Sequence, residues 1–345
     1  MKKKSILIIG NKENFTLEKM YYKSLKHLGH NIDFFKIDIT LKNLILAKLI
    51  YYIPFFHYAS LRKKLINFFK KNKKKYDIII IFKGLYLNLE TIKKIKKIKK
   101  NTIWLNIFPD DPFELNNPTI SNQSFLNTIT EFDIFCIWSK KIKNQLEKLH
   151  KNVFFIYLPF AYDNLVKFKT KKKNIFKIDR ILFVGTYDQK RKEVLDSIKI
   201  QKTIYGGNWK NLIKFNSNRS NIHGHLHGQK LHEAISSYKI NLNILRDQNA
   251  TSHNMRTFEI PGHNGLMLTN RTKEQNNFFR ENQECYMYSN IKELNSKIEF
   301  IIKNSKKADK VRKRGIFKVK KHNYLNRSKY LLKKINEFIK NKSEI

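Results

Sequence analysis

A chain of 345 residues is longer than one hydrophobic core usually supports, and hydrophobic residues at 41% suffice to fill two domains. The 70 Lys plus Arg against 28 Asp plus Glu leave a net charge of +42, which on its face points to a polyanionic partner. The surplus is mostly lysine spread from end to end, so a solvated surface is expected and no specific nucleic-acid face; a basic nucleic-acid-binding protein stands as the alternative class. Two distant cysteines, Cys136 and Cys285, exclude a disulfide framework and a cysteine metal site, and fit a reducing, cytoplasmic compartment.

From the amino end, the basic Met1 to Ser5 precedes an apolar run, Ile6 to Gly10, that is too short for a signal peptide. Apolar runs rich in Ile, Val and Phe then alternate with helical stretches, the pattern of βαβ units and a parallel sheet. The predicted strands are Ser5 to Ile9, Ile32 to Ile37, Tyr76 to Phe82, Thr102 to Ile107, Ile134 to Trp138 and Val153 to Tyr157. Tyr76 to Phe82 is apolar on both faces and is expected at the sheet centre. Leu17 to Leu28 reads as a helix closed by Gly29, and Ser139 as the N-cap of another. The apolar stretch Leu44 to Leu61, broken by Lys48 and Pro54, falls short of a spanning helix; it reads as a helix covering the sheet, with peripheral contact to a membrane surface as the other reading.

The lysine-loaded Lys167 to Lys177 has no apolar period and reads as a linker. Beyond it the pattern restarts: strand Arg180 to Val184, helix Arg191 to Ile200, strand Ile240 to Ile244, helix Met255 to His263, strand Gly265 to Leu268, then a basic helical tail. The division expected is 1–166 and 178–320 for two Rossmann-like α/β domains facing a central cleft, and 321–345 for a terminal helix. Ligands in such sheets bind beyond the carboxyl ends of the strands.

The segment from Asn241 to Asn270 carries the most chemistry. A strand ends at Ile244, a polar loop holds Arg246 and Asp247, and a helix opens near Asn254 or Met255, so Ser252, His253, Asn254 and Met255 flank its amino end. Free N–H groups there, with the Arg256 guanidinium, suit a diphosphate. Glu259 follows one turn later, about 4–5 Å along the axis, the step from a pyrophosphate to the ribose of one nucleotide. An amphipathic helix with a surface Arg–Glu pair is the plainer reading. In the first half, Asp110 and Asp111 follow a strand end, where a carboxylate can serve as a general base, or where Asp-Asp-Pro is simply a turn. His223, His225 and His227 alternate, but no carboxylate or cysteine joins them, and Gly224 and Gly228 favour a loop over a metal site. No metal is expected. The chain has neither a G-x-G-x-x-G fingerprint after its first strand nor a P-loop lysine, which leaves dinucleotide oxidoreductases and NTPases without support.

The run RTFEIPGHNGLMLTNRT from Arg256 resembles the donor-binding signature of the spore-maturation-protein-B-like (CgeB-type) glycosyltransferases, a branch of the GT-B superfamily. FVGTYDQKR from Phe183, IHGHLHG from Ile222, YKINLNILRD from Tyr238, DDP at Asp110, LPFAYD from Leu158 and HNYLNR from His322 match in the family's order. The resemblance implies a GT-B fold whose terminal helix crosses back to the first, acceptor-side domain. It implies transfer of a sugar from a nucleotide-diphosphate donor, probed first as a UDP-sugar, to a glycan, lipid-linked or protein acceptor, without cofactor or metal. Arg256 would then hold donor phosphates and Glu259 the ribose, Gly185 and Thr186 would line the cleft, and Gly224 and His225 would lie near the donor base. Asp111 would be the base ahead of Asp110, since the Asp-Pro pair recurs. Many GT-B enzymes carry a second glutamate eight positions before the ribose-binding one; Thr251 stands there, so retention or inversion stays open, as does a catalytically inactive scaffold in surface-polysaccharide or spore-surface assembly.

Overall fold

The computed structural model describes residues 2–37, 54–169, 175–209 and 220–344. They form two compact units, Met1–Pro159 with Arg327–Ile345, and Phe160–Asn326.

The first unit is a six-stranded parallel sheet of order β2-β1-β3-β4-β5-β6. Its strands are β1 (Ser5–Gly10), β2 (Asn31–Lys36), β3 (Ile78–Phe82), β4 (Ile103–Phe108), β5 (Ile134–Ile137) and β6 (Phe154–Tyr157). Between them run α1 (Leu17–His27), α2 (Pro54–Lys71), α3 (Leu89–Ile98) and α4 (Lys140–Leu149). Strand β3, Ile-Ile-Ile-Ile-Phe, is buried at every position between β1 and β4, as a strand with helices on both faces must be. Gly29, at φ +87°, follows the C-cap of α1, and the Ser139 hydroxyl accepts from Ile142 N at the start of α4. Residues 44–53 of the apolar stretch lie outside the described residues, and its remainder opens α2; residues 170–174 of the lysine-rich stretch also lie outside them.

The second unit comprises β7 (Ile178–Val184), α5 (Gln189–Asp196), β8 (Lys202–Tyr205), β9 (Ser220–His223), α6 (Gly228–Ser237), β10 (Tyr238–Asn243), α7 (Arg256–Gly262), β11 (Met267–Asn270), α8 (Lys273–Phe278), β12 (Tyr286–Tyr288), α9 (Ile291–Lys303) and α10 (Ser305–Val319). Its sheet, also all parallel, has the order β12-β11-β10-β7-β8-β9, so the direction of winding reverses between β7 and β10. Three strands were not legible as strands. β8, β9 and β12 have only three or four residues each, and β8 begins with a lysine whose ammonium is buried against Ile198 O at 3.0 Å. Helix α5 starts two residues earlier than expected, because Asp188 caps it by accepting from Arg191 N, and ends by Asp196 so that β8 can form.

The final helix, α11 (Tyr324–Ser343), joins the first unit from Arg327 onward; there Arg327 Nε donates to Pro159 O at 3.0 Å and Phe338 packs on Phe154. In α10, Gly315 lies against the backbone of Glu284, where a Cβ would stand 2.3 Å from the carbonyl oxygen. Alanine gains about 1 kcal/mol of helix propensity over glycine, but a clash with backbone that cannot move aside falls in the upper part of the overpacking range, about 2–3 kcal/mol. Gly315→Ala is therefore expected to lower the unfolding free energy in a denaturant titration by about 1–2 kcal/mol. A variant as stable as the parent would contradict this packing.

Candidate functional site

In the second unit, the point of reversal between β7 and β10 is built around Arg191. Its position at the start of α5 places it in register with Val194 and Leu195 on the helix face that packs on the sheet, and it is 7% exposed. Nε and Nη2 donate to Ile244 O, beyond β10, at 3.1 and 3.0 Å, and Nη1 donates to Thr186 O, beyond β7, at 3.0 Å. The guanidinium also lies over the Phe183 ring. Burial first, and then the like charge of Arg246 with a smaller share from Arg256, pushes its pKa down to about 10, opposed by Asp188.

Neighbouring strand ends are knitted by glycines. Gly206, at φ +153°, comes so close to Gly185 that a Cβ would sit 1.9 Å from the Gly185 carbonyl oxygen. Gly185 O accepts from the Trp209 indole at 2.7 Å, and Gly206 N donates to His223 O and Gly224 O. Arg246 hydrogen-bonds the Thr186 hydroxyl, while its buried Nε has no partner among the described residues. Arg256 Nε donates to Val184 O at 3.2 Å, and its Nη1 is paired with Glu259, which is 9% exposed. Beside this pair lies His227, whose pKa is lowered by burial and then by His225 and Arg256 against the pull of Glu259. The His225 and His227 rings stack at 6.0 Å, with His225 against Gly207.

Gly185, Thr186, Arg246, Arg256 and Glu259 therefore converge, with Gly224 and His225 on the adjoining loop. Ser252 and His253 do not line this surface: both are fully buried. Ser252 Oγ donates to Glu274 at 2.6 Å, His253 Nδ1 lies 2.9 Å from the same carboxylate oxygen, and His253 Nε2 accepts from Phe160 N. They shape the loop from behind. The amino end of α7 also differs from expectation. The helix has seven residues, Met255 is its N-cap, and Thr257 N is already satisfied by Asn254 Oδ1 at 3.1 Å, with Asn254 interlocked with Asn243. Positive charge here comes from guanidiniums rather than from free N–H groups. Arg191 escaped the sequence reading, although an arginine in register with Val194 and Leu195 on one helix face is the signal of a buried one.

In the first unit, β1 and β3 flank the corresponding reversal. Lys83, at φ +58° just past β3, pairs with Asp110 at 2.5 Å. Asp111 accepts from Phe113 N at 2.9 Å; burial raises its pKa, with the Phe113 N–H and then Lys141 opposing. Glu18, in the first turn of α1, accepts from Asn11 N, and burial raises its pKa against those hydrogen bonds and Lys83. Of the histidine trio only His223 lies in a strand. Among the described residues no group of three or more His, Cys, Asp or Glu side chains is placed to hold a metal.

The family model described as Glycosyl transferase-like matches residues 189–333. No curated protein sequence matches the chain. In fold the chain is similar to sucrose-phosphate synthase from Thermosynechococcus elongatus (TM-score 0.66, 12% identity, 98% of this chain and 100% of that one). It is also similar to Anabaena HepE, solved with UDP-glucose (0.65, 8%, 97% and 100%), and to a glycosyltransferase from Rickettsia africae (0.64, 14%, 99% and 100%). Two parallel six-stranded sheets and these likenesses establish the α/β GT-B fold.

Behind α7, His263 forms its C-cap and meets His232 of α6, Nδ1 to Nδ1, at 3.2 Å, with Phe168 stacked on His232 and tilted against His263. Burial, then His232 and Arg256, pushes the His263 pKa down to about 3. The unfolded chain, with histidine near 6.5, therefore binds the proton more readily, and the stabilisation present above pH 6.5 is lost as pH falls from there toward 3, at about 1.4 kcal/mol per pH unit. Denaturant unfolding at pH 7.5 and 5.0 should show that loss, and His263→Leu should flatten it; an unchanged slope in the variant would contradict the assignment.

Proposed function

We propose that this chain is a glycosyltransferase that moves a sugar from a nucleotide-diphosphate donor to a glycan, lipid-linked or protein acceptor. The observation that carries the reading is the cluster of Arg191, Arg246 and Arg256 at the strand reversal of the second sheet, with Glu259 one helical turn beyond Arg256. One buried and two half-buried guanidiniums at one point favour an anion with several negative oxygens. A nucleoside diphosphate satisfies both parts: its phosphates take the Arg246 and Arg256 guanidiniums, and its ribose hydroxyls donate to Glu259, which gives up Arg256 as its partner. HepE, of the same fold, is solved with UDP-glucose and with UDP, ligands of this chemistry.

As the glycosidic bond to the donor breaks, negative charge grows on the departing diphosphate, and fixed guanidiniums stabilise that charge most in the transition state. The reading is metal-independent, since the leaving group is neutralised by side chains. The acceptor hydroxyl must lose a proton, and Asp111 takes it: burial raises its pKa toward working pH, whereas Asp110 is engaged by Lys83. The finer placement in the CgeB-type branch is supported by the RTFEIP run and the order of its companion motifs, and a hexose is proposed as the transferred sugar.

Calorimetry with UDP, GDP and CDP is expected to show binding of at least one in the micromolar to millimolar range; failure of all three would overturn the reading. Glu259→Ala should weaken that binding about tenfold or more, through loss of the ribose contacts. Asp111→Asn should leave binding intact and lower donor turnover by about 10²–10⁴-fold. If both variants matched the parent, these residue roles would be refuted.

A further inference from the structure

The lysine surplus includes several dense basic runs, and one of them falls on and around α10. Between Lys303 and Lys321 the sequence has ten basic residues and a single acid, Asp309, whereas the whole chain carries +42 over 345 residues. Asp309 is already paired with Arg312 and Lys313. On α10, Lys307, Lys310, Arg314 and Phe317 recur at spacings of three and four, which places them along one stripe. Lys307, Lys310 and Arg314 have no ion-pair partner among the described residues, and Phe317, at 72%, is the most exposed large hydrophobic side chain described. Beside the stripe a groove of about 600 Å³ runs between α9 and α10. Its floor is Tyr286, Phe300 and Val311; Lys307, Lys310 and Arg314 stand on its rim.

We propose that this face of α10, with its groove, docks the protein on an anionic phospholipid surface. The cations meet headgroup phosphates, Phe317 enters the interface, and the apolar floor accepts part of an acyl chain. Charge complementarity selects an anionic partner, and the aromatic and aliphatic floor suits hydrocarbon better than the hydrogen-bonding edge of a base. No helix among the described residues is long and apolar enough to cross a membrane, so the contact is peripheral. This surface belongs to the second unit and does not depend on the donor-site reading.

The test is sedimentation of the full chain with vesicles containing phosphatidylglycerol, and with pure phosphatidylcholine, at physiological salt of about 0.15 M. Binding is expected to the first only. Phe317→Ser, and the double reversal Lys310→Glu/Arg314→Glu, should each weaken it about tenfold or more. Lys94→Glu/Lys97→Glu on α3 removes the same charge elsewhere and should leave binding within about twofold, with circular dichroism reporting that all variants are folded. The proposal is overturned if the parent does not bind, if both double reversals weaken binding equally, or if Phe317→Ser binds as the parent does. It is also overturned if a single-stranded RNA oligonucleotide binds the stripe at this salt while vesicles do not.

Discussion

Arg191 is a guanidinium taken out of water, its charge offset only in part by Asp188. Burying a charge is costly unless its donors are satisfied, and here three of them reach carbonyl oxygens at the ends of the two strands between which the second sheet reverses. Those carbonyls belong to the segments that carry Thr186 and Arg246, so the same contacts that make the buried charge tolerable also fix the spacing of the loops around the site. Two more guanidiniums then occupy the same field. A folded chain that tolerates this concentration of like charge has an electrostatic preference for an anion built into it, before any ligand arrives.

Helix α7 completes the arrangement and is itself held from behind. The Ser252, His253 and Glu274 network and the Asn243–Asn254 interlock fix the turn that precedes it, and the paired His232 and His263 rings close its far end. Arg256 reaches back to Val184 O, tying the helix to β7. With both ends held, the Arg256–Glu259 pair is set at one helical turn, and without a nucleotide the two groups neutralise each other. Exchange of that internal ion pair for contacts to ligand limits the affinity, since part of the binding energy is spent on separating the pair.

Much of this was legible in the sequence, for identifiable reasons. Runs of Ile and Leu marked β1 and β3 because strands buried on both faces are mostly apolar, and β4 was legible from Ile103 to Leu105 and Ile107 to Phe108 around a buried Asn106. The Arg256–Glu259 spacing was legible because helix geometry is local. What depends on distant partners was not. β8 (Lys-Thr-Ile-Tyr) and β9 (Ser-Asn-Ile-His) are short and half polar and β12 has only three residues, so they exist through their neighbours. Ser252 and His253 looked like ligands on a polar loop, but a buried Glu274 twenty-one residues beyond His253 draws both inward. Nothing local distinguishes Asp110 from Asp111 either; the difference is made by Lys83, brought alongside by β3.

The claim on which the account rests is that the arginine cluster and Glu259 grip a nucleoside diphosphate, and a crystal structure of the chain with UDP tests it most directly. The account predicts diphosphate oxygens within hydrogen-bond distance of the Arg246 and Arg256 guanidiniums, ribose hydroxyls on Glu259, and Arg191 still bound to Thr186 O and Ile244 O. A nucleotide bound elsewhere, with Arg256 and Glu259 still paired to each other, would contradict it.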